Sequence, residues 1–293
     1  MVDRHRPRRS ILYMPGSNAR ALEKAKTLPA DGLILDLEDA VSPEAKDIAR
    51  EQVCQACAAA RSGEYGYREI AIRINGLDTP WGHDDLKAAA AAAPHAILVP
   101  KIDGPSMIRQ IDSMLGSLGA PDTVRLWAML ETPRGLLHAE EIAGASKRLE
   151  VLVMGTNDIA KELKAAHRSG RGPLLTSLGL CLLAARAHGL VIVDGVYNDI
   201  KNVEGFETEC RQGAQMGFDG KTLIHPTQVE PCNRVFSPSD EELENAHKII
   251  EAFKQAEAEG KYVATVDGRM IEHLHVENAK GVVAMAQAIA SRS

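Results

Sequence analysis

The sequence lacks several features that would fix a location or a class of partner. No apolar run approaches the roughly 20 residues of a membrane span. No apolar segment follows the arginine-rich start, so we expect no secretory signal. The net charge of −6, from 34 basic and 40 acidic residues, argues against general nucleic-acid binding. These absences favour a cytoplasmic enzyme or binding protein.

Cysteine is scarce, and its count of five is odd, which makes a disulfide framework unlikely. Cys54 and Cys57 form a C-x-x-C pair inside the alanine-rich stretch 44–61, which is typical of a helix. No second cysteine pair or nearby histidine pair completes a zinc site there, so we interpret both as small buried thiols. His273 and His275 form only a weak candidate for a metal pair.

Eight short apolar segments, rich in β-branched residues, recur about 30 residues apart. The segments between them are rich in alanine and leucine and carry charges on one side, which is typical of helices packed on a sheet. This repeat length fits a strand followed by a crossover helix. The predicted strands are Ile11–Met14, Leu33–Leu37, Ile70–Ile74, Ala96–Val99, Leu126–Leu130, Val151–Met154, Leu190–Val193 and Gly220–Ile224.

Strands that alternate with helices predict a parallel sheet, and eight repeats close it into a (β/α)8 TIM barrel, an α/β fold of about 250 residues. An open doubly wound sheet is the alternative, but no glycine fingerprint follows the first strand to place a dinucleotide. We therefore expect a barrel domain at residues 8–235 and a C-terminal helical extension at residues 236–293.

The extension carries its own helix signals. Ser237 is the expected N-cap of a helix with Pro238 at its first position, and Gly260 is expected to end that helix. A short extended segment with a turn follows, and a last helix runs from about residue 276 to residue 290. Such a tail packs either on its own barrel or on that of a neighbouring subunit.

Polar residues follow the predicted strands at their C-terminal ends. The fifth strand stops at Glu131, and the sixth is followed by Asn157 and Asp158. In a TIM barrel these strand ends meet at one face, where the active site is built. Two carboxylates at neighbouring strand ends suit magnesium, which typically takes one or two protein carboxylates and leaves other positions to water and substrate. Two unrelated surface acids are the alternative.

Arg73, at the end of the third strand, is the predicted anion-binding group, because a guanidinium holds a carboxylate in bidentate geometry. A metal ion on the two carboxylates, together with Arg73, would grip a 2-oxo acid and stabilise an enolate. Three more acids lie at the end of the second strand: Asp36, Glu38 and Asp39. One magnesium ion does not need this many protein ligands, so we expect some of these acids to hydrogen-bond to metal-bound waters. A salt bridge from Arg73 to one of them is the alternative.

Six motifs make the chain resemble the citrate lyase β-subunit-like family, within the wider group of HpcH/HpaI aldolases and malyl-CoA lyases. The motifs are RSILYMPGS at 9–17, LDLEDA at 35–40, IRING at 72–76, VPKI at 99–102, LETPRG at 130–135 and GTND at 155–158. The resemblance runs from about residue 8 to the C-terminal helix. It implies a magnesium-dependent lyase that cleaves a 3-hydroxyacyl-CoA, such as malyl-CoA or citramalyl-CoA, into an acyl-CoA and a 2-oxo acid.

The resemblance also implies roles for individual residues. Glu131 and Asp158 match the family's metal ligands, and Arg73 matches its oxo-acid clamp, so Glu131 and Arg73 are expected to contact substrate as well. Asn157 falls where relatives contact substrate. The remaining matches are His225 and Pro226, at a second substrate-contacting segment, and Arg20 and Lys24, where relatives place basic groups near the CoA phosphates.

In relatives that act on CoA esters, an Asp in a Met-Ile-Asp segment reaches into a neighbouring subunit's site for acid/base work. Here the segment reads Met270-Ile-Glu272, and Glu272 can transfer a proton too, although its side chain is one methylene longer. The extension would thus complete a neighbouring subunit's site, which implies a closed ring such as a homotrimer or hexamer.

Three other functions stay open at this point. The same site would serve a thioesterase that uses a metal-bound or Glu-activated water, because some relatives hydrolyse the thioester. A citrate lyase subunit would act only on a carrier-protein thioester inside a complex. A barrel that binds an oxo acid without catalysis is the least favoured, since the metal-site residues are intact.

Overall fold

Eight parallel strands form a closed barrel in the computed structural model, which describes residues 6–166 and 168–292. Each strand pairs with its neighbours in sequence, and the first closes the barrel against the eighth. All eight predicted strands are confirmed to within about two residues at each end, and so is the TIM-barrel fold. The strands are β1 (Ser10–Pro15), β2 (Gly32–Asp36), β3 (Glu69–Arg73), β4 (Ala96–Val99), β5 (Arg125–Leu130), β6 (Leu149–Met154), β7 (Val191–Asp194) and β8 (Gly220–Leu223).

Helices follow the strands as the repeat predicts, with three corrections. The segment after β5 carries two short helices and not the single helix of a regular repeat, because the backbone leaves the helical region at His138 (φ −104°, ψ 16°). Two further short helices, at 156–162 and 229–235, were not predicted. The barrel helices are α1 (Ala19–Ala25), α2 (Lys46–Arg61), α3 (Gly82–Ala92), α4 (Pro105–Ser117), α5 (Pro133–Leu137), α6 (Ala139–Ala143), α7 (Thr156–Glu162), α8 (Leu175–His188), α9 (Val203–Met216) and α10 (Val229–Val235).

Alternate residues of the strands fill the inside of the barrel, while the others pack outward against the helices. The inward row of β3 runs through Ala71, and the inward row of β5 runs through Trp127 and Met129. The next inward positions in these two rows, at the C-terminal strand ends, are Arg73 and Glu131. The alternation of the strands therefore aims both charged side chains into the mouth of the barrel.

At the N-terminal ends of the strands, Arg8 forms a buried ion-pair cluster. Its Nε lies 2.6 Å from Oε2 of Glu69, and its Nη2 lies 2.9 Å from Oε1 of Glu150. Arg125 contacts the other oxygen of Glu150 at 3.0 Å. The guanidinium of Arg8 also lies 5.9 Å from the centre of the Trp127 ring. The charges at this end of the barrel therefore satisfy one another within the protein.

Residues 237–292 form a compact unit of their own, separate from the unit of residues 8–236. Helix α11 (Asp240–Ala258) is capped by Ser239, not by Ser237 as predicted. Ser239 has Glu242 three residues later, and the two form a capping box, which Ser237 cannot form because its third following residue is Asp240. The helix ends two residues before Gly260, whose φ is +74°.

The predicted extended segment after α11 is a two-stranded hairpin of β9 (Ala264–Val266) and β10 (Arg269–Ile271). Asp267 and Gly268 make its turn with φ of +49° and +76°, a conformation that Asp-Gly pairs favour. The last helix, α12 (His273–Ala290), begins three residues earlier than predicted. Within 6–166 and 168–292, no helix combines the length and apolar character of a membrane span.

The Arg8 cluster predicts a large loss of stability when its one shared cation is removed. Arg8→Met leaves two buried carboxylates facing each other, so we expect the free energy of unfolding to fall by about 3–5 kcal/mol, measured by urea denaturation. The control is Arg211→Met, which removes an exposed partner of Glu207 on α9 and should cost less than about 1 kcal/mol. Equal losses in the two variants would contradict the assignment.

Candidate functional site

A cavity of about 310 Å³ opens at the C-terminal ends of the barrel strands. Residues from β1, β2, β3 and β5, and from the loop and helix after β6, line it. Those with functional groups are Tyr13, Asp36, Asp39, Arg73, Thr156, Asn157 and Asp158. Of the predicted site residues, Arg73, Asn157 and Asp158 line this cavity, and Glu131 does not.

Glu131 and Asp158 follow β5 and β6, two neighbouring strands of the barrel. The backbone N–H of Gly155 donates to the carbonyl of Leu130 (3.0 Å), which joins the ends of β5 and β6. A Cβ atom on Gly155 would come within 2.5 Å of Oε2 of Glu131. Glycine is therefore required here, because any side chain would displace the Glu131 carboxylate. Asp158 lies in the first turn of α7, close enough for its charge to act on Glu131.

The carboxylate of Glu131 is fixed by the strand end next to it. Its Oε1 accepts a hydrogen bond from the backbone N–H of Lys101 (2.8 Å). Lys101 adopts the left-handed conformation (φ +51°), which costs free energy in a residue with a side chain and clusters at functional sites. The Nζ of Lys101 lies 3.3 Å from Oε1 of Glu38. Lys101 thus holds two acids of the site, one through its backbone and one through its side chain.

Negative charge is in excess around the cavity. Burial, followed by the neighbouring carboxylates of Glu38 and Asp158, raises the pKa of Glu131 to about 8. Burial likewise raises the pKa of Glu38. Two cationic side chains, Arg73 and Lys101, face these groups. The carboxylates are Asp36, Glu38, Asp39, Glu131 and Asp158.

Carboxylate oxygens such as those of Glu131 and Asp158 are suitable ligands for a hard divalent cation. Among residues 6–166 and 168–292, no cluster of three or more His, Cys, Asp or Glu side chains is arranged to hold a metal. Magnesium does not need such a cluster, because it is commonly held by one or two carboxylates with water and substrate completing its shell. Glu131 and Asp158 would provide those carboxylates, and the surrounding acids add to the attraction.

Arg73 forms the salt bridges that we considered as its alternative role. Its Nε and Nη2 contact the two oxygens of Asp36 at 2.6 and 2.7 Å, and its Nη1 lies 2.8 Å from Oε2 of Glu38. A guanidinium has five N–H groups, and these contacts use three of them. A fourth faces the sulfur of Met129 at 3.9 Å, a long and weak contact. The ion pairs orient Arg73 and still leave donors for a ligand in the cavity.

A buried lysine fixes the loop that carries Glu38. The Nζ of Lys46, on α2, donates to the carbonyls of Leu37 and Glu38 at 2.7 and 2.8 Å, and to Oδ1 of Asn75 at 2.8 Å. The sequence does not predict a role at the site for Lys46, Lys101 or Tyr13. In the sequence, Lys46 cannot be distinguished from other lysines on predicted helices. The left-handed backbone of Lys101 cannot be predicted either, because lysine rarely adopts this conformation.

The other predicted substrate residues lie near the cavity or on its rim. The side-chain amides of Asn157 and Asn198 exchange two hydrogen bonds, of 2.7 and 3.2 Å. His225 caps a short turn that begins at Pro226, and its Nδ1 accepts from the N–H of Thr227 (3.3 Å). Their predicted contacts with substrate stay predictions.

The predicted CoA contacts and the predicted acid/base residue are exposed. Arg20 and Lys24 lie one turn apart on α1, directly after the C-terminal end of β1. Glu272, in the C-terminal unit, is the residue before α12, and its N–H donates to Nδ1 of His275 (3.0 Å). His275 thus serves as a helix cap. The catalytic role of Glu272 stays a prediction.

Two family models match the chain. The model described as HpcH/HpaI aldolase/citrate lyase covers residues 9–226. The model described as C-C bond lyase of the TIM-barrel fold covers residues 173–290. Together they span the barrel and the C-terminal unit.

Individual proteins are similar over nearly the whole chain. A protein named (3S)-malyl-CoA thioesterase from Cereibacter sphaeroides is 50% identical over 291 residues, with 99% of both chains covered. Citrate lyase subunit beta of Escherichia coli K12 is 33% identical, with 96% of this chain and 94% of that protein covered. A crystal structure of CitE from Mycobacterium tuberculosis with magnesium, acetoacetate and coenzyme A has a TM-score of 0.78 and 27% identity, covering 97% and 99% of the two chains.

The contact between Gly155 and Glu131 predicts how a single methyl group changes metal binding. Gly155→Ala pushes the Glu131 carboxylate away from the strand ends, so we expect magnesium affinity to fall at least about tenfold, as for changes in the groups that orient a ligand. Isothermal titration with Mg²⁺ measures this. Gly116→Ala, on α4, is the control because a Cβ there meets nothing within 4 Å. The same loss in both variants would contradict the prediction.

The raised pKa of Glu131 predicts a pH dependence of metal binding. The ion needs the ionised carboxylate, so a proton competes with it below the pKa of about 8. We expect magnesium affinity to rise by up to about tenfold per pH unit below pH 8 and then to level off. Titrations between pH 6 and 9 test this, with Glu131→Gln as the variant that lacks the effect. An affinity that is constant over this range would contradict the prediction.

Proposed function

The chain belongs to the HpcH/HpaI aldolase/citrate lyase family, as its sequence motifs indicate, and we propose that it is a magnesium-dependent enzyme that acts on a 3-hydroxyacyl-CoA of the malyl-CoA type. The observation that carries this proposal is that Asp158 and Arg73 line one cavity and that both act electrostatically on the buried carboxylate of Glu131. The acids suit a divalent cation, and the arginine suits the carboxylate of a short acid. Relatives crystallised with magnesium and small oxo acids support the same pairing.

Glu131 and Asp158 would hold the magnesium ion. When bound, it supplies a positive charge that polarises the oxygens of the hydroxy acid. Arg73 would receive a carboxylate of the same acid through the N–H groups that Asp36 and Glu38 do not use. Arg20 and Lys24 would meet the CoA phosphates, because α1 begins at the same end of the barrel.

Hydrolysis of the thioester is the reaction that we favour, because the 50% identical relative is named a malyl-CoA thioesterase. In this reaction a water adds to the thioester carbonyl, the C–S bond breaks, and the sulfur leaves as the CoA thiol. A base must take a proton from the water. We assign that role to Glu272 of a neighbouring subunit, whose carboxylate is exposed in the C-terminal unit.

Carbon–carbon cleavage is the second candidate, because the matched family models are described as aldolases and lyases. Here Glu272 takes the proton of the 3-hydroxyl, the C2–C3 bond breaks, and the hydroxyl carbon becomes the carbonyl of the oxo acid. Arg73 holds a carboxylate of that oxo acid, and the acyl-CoA enolate takes the proton back from Glu272. Both reactions require the same binding groups and differ in what the carboxylate of Glu272 does.

Product analysis separates the two reactions and tests the site. With malyl-CoA and Mg²⁺, free CoA with intact malate indicates hydrolysis, and acetyl-CoA with glyoxylate indicates cleavage. Glu131→Gln should abolish either product, and Glu272→Gln should lower turnover by about 100-fold or more without changing magnesium affinity. Glu141→Gln, an exposed residue of α6, is the matched control. Unchanged turnover in Glu131→Gln would rule out the metal site.

A further inference from the structure

Tyr13, near the end of β1, contacts the group assigned to anion binding. Its ring centre lies 4.8 Å from Cζ of Arg73. Tyr13 follows Ile11 in the inward row of β1, packs on the core inside the barrel and lines the cavity. It therefore lies between the apolar interior of the barrel and the charged groups at its mouth.

Arg73 is held by contacts of two kinds. Asp36 and Glu38 accept or pair with the N–H groups of the guanidinium. The Cζ of Arg73 also lies over the face of the Tyr13 ring, and a cation over an aromatic face is attracted by the ring's quadrupole. The tyrosine therefore adds a restraint on Arg73 that does not use any of its N–H groups.

The hydroxyl of Tyr13 makes no hydrogen bond to Arg73. Its oxygen is buried and has no hydrogen-bond partner among residues 6–166 and 168–292. A buried hydroxyl without a partner destabilises the folded protein. Burial also raises the pKa of this hydroxyl, so the side chain stays neutral and adds no charge to the site. Phenylalanine would keep the ring and remove this cost, which makes it the matched variant.

We propose that Tyr13 is a positioning residue of the anion site, whose ring holds Arg73 in place so that its remaining N–H groups meet a carboxylate of the ligand. This inference rests on the proposed function, in which Arg73 receives the carboxylate of the oxo-acid half. The ring acts through Arg73 and does not need to touch the magnesium ion. Oxo-acid affinity and magnesium affinity should therefore respond differently when the ring is removed.

Isothermal titration of the whole chain with pyruvate or glyoxylate, in saturating Mg²⁺, tests the inference. Tyr13→Leu should bind the oxo acid about 10- to 30-fold more weakly, the range of a desolvated cation–π contact. Tyr13→Phe should bind within about twofold of the wild type and melt no lower. Magnesium affinity should stay within about twofold in both variants. A second non-aromatic variant, Tyr13→Met, serves if Tyr13→Leu does not fold.

The outcomes separate this inference from the function on which it rests. If the wild type binds the oxo acid and Tyr13→Leu binds it equally well, the positioning role is wrong and the proposed function stands. If Tyr13→Phe loses as much affinity as Tyr13→Leu, the hydroxyl and not the ring acts, and the inference is overturned. If the wild type binds no 2-oxo acid in the presence of Mg²⁺, the anion site itself is wrong and both fail.

Discussion

Repulsion between buried carboxylates at the barrel mouth is the constraint on which the rest of the site depends. Glu131 lies among Glu38 and Asp158 in a place that water reaches poorly, and its pKa rises to about 8 as a result. Without a compensating ligand, buried carboxylates that repel one another destabilise the folded protein. Here the strand ends, the left-handed Lys101 and the bare Cα of Gly155 all keep the acids together. A bound dication is the simplest reason for doing so.

The balance between buried positive and negative charges differs at the two ends of the barrel. At the N-terminal end, Arg8 lies between Glu69 and Glu150, so the buried charges there are matched within the protein. At the C-terminal end, Arg73 and Lys101 face a larger number of carboxylates. The first arrangement stabilises the fold and needs no ligand. The second leaves negative charge in excess, and it lies at the end where TIM barrels carry their active sites.

In the proposed function, the site binds ligands of both signs at short range. Arg73 can accept an organic anion because Asp36 and Glu38 occupy only part of its hydrogen-bonding capacity. The same acids fix its position, so what looked like a competing role for the arginine is a means of orienting it. The ring of Tyr13 contacts Arg73 from the side of the barrel interior. Cation and anion sites are thus built from neighbouring strands and share their supporting residues.

The sequence predicts the features that depend on period and spacing. Strand alternation placed Glu131 and Arg73 at the barrel mouth, and the order of strands brought Asp158 beside them. It did not predict the features that depend on local backbone geometry or on packing. The positive φ of Lys101 is a strained choice imposed by its surroundings, and the ring of Tyr13 looks like ordinary core. The cap at Ser239 was missed because Ser237 offers the same side chain two residues earlier, and only the position of Glu242 distinguishes them.

The central claim is that Glu131 and Asp158 share one divalent ion. Anomalous scattering from a crystal of the protein soaked in Mn²⁺, a heavier substitute for Mg²⁺, tests it most directly. The account predicts a single anomalous peak at the C-terminal rim of the barrel, within coordination distance of one oxygen from each carboxylate. A peak elsewhere, or an ion bound to only one of the two side chains, would contradict it.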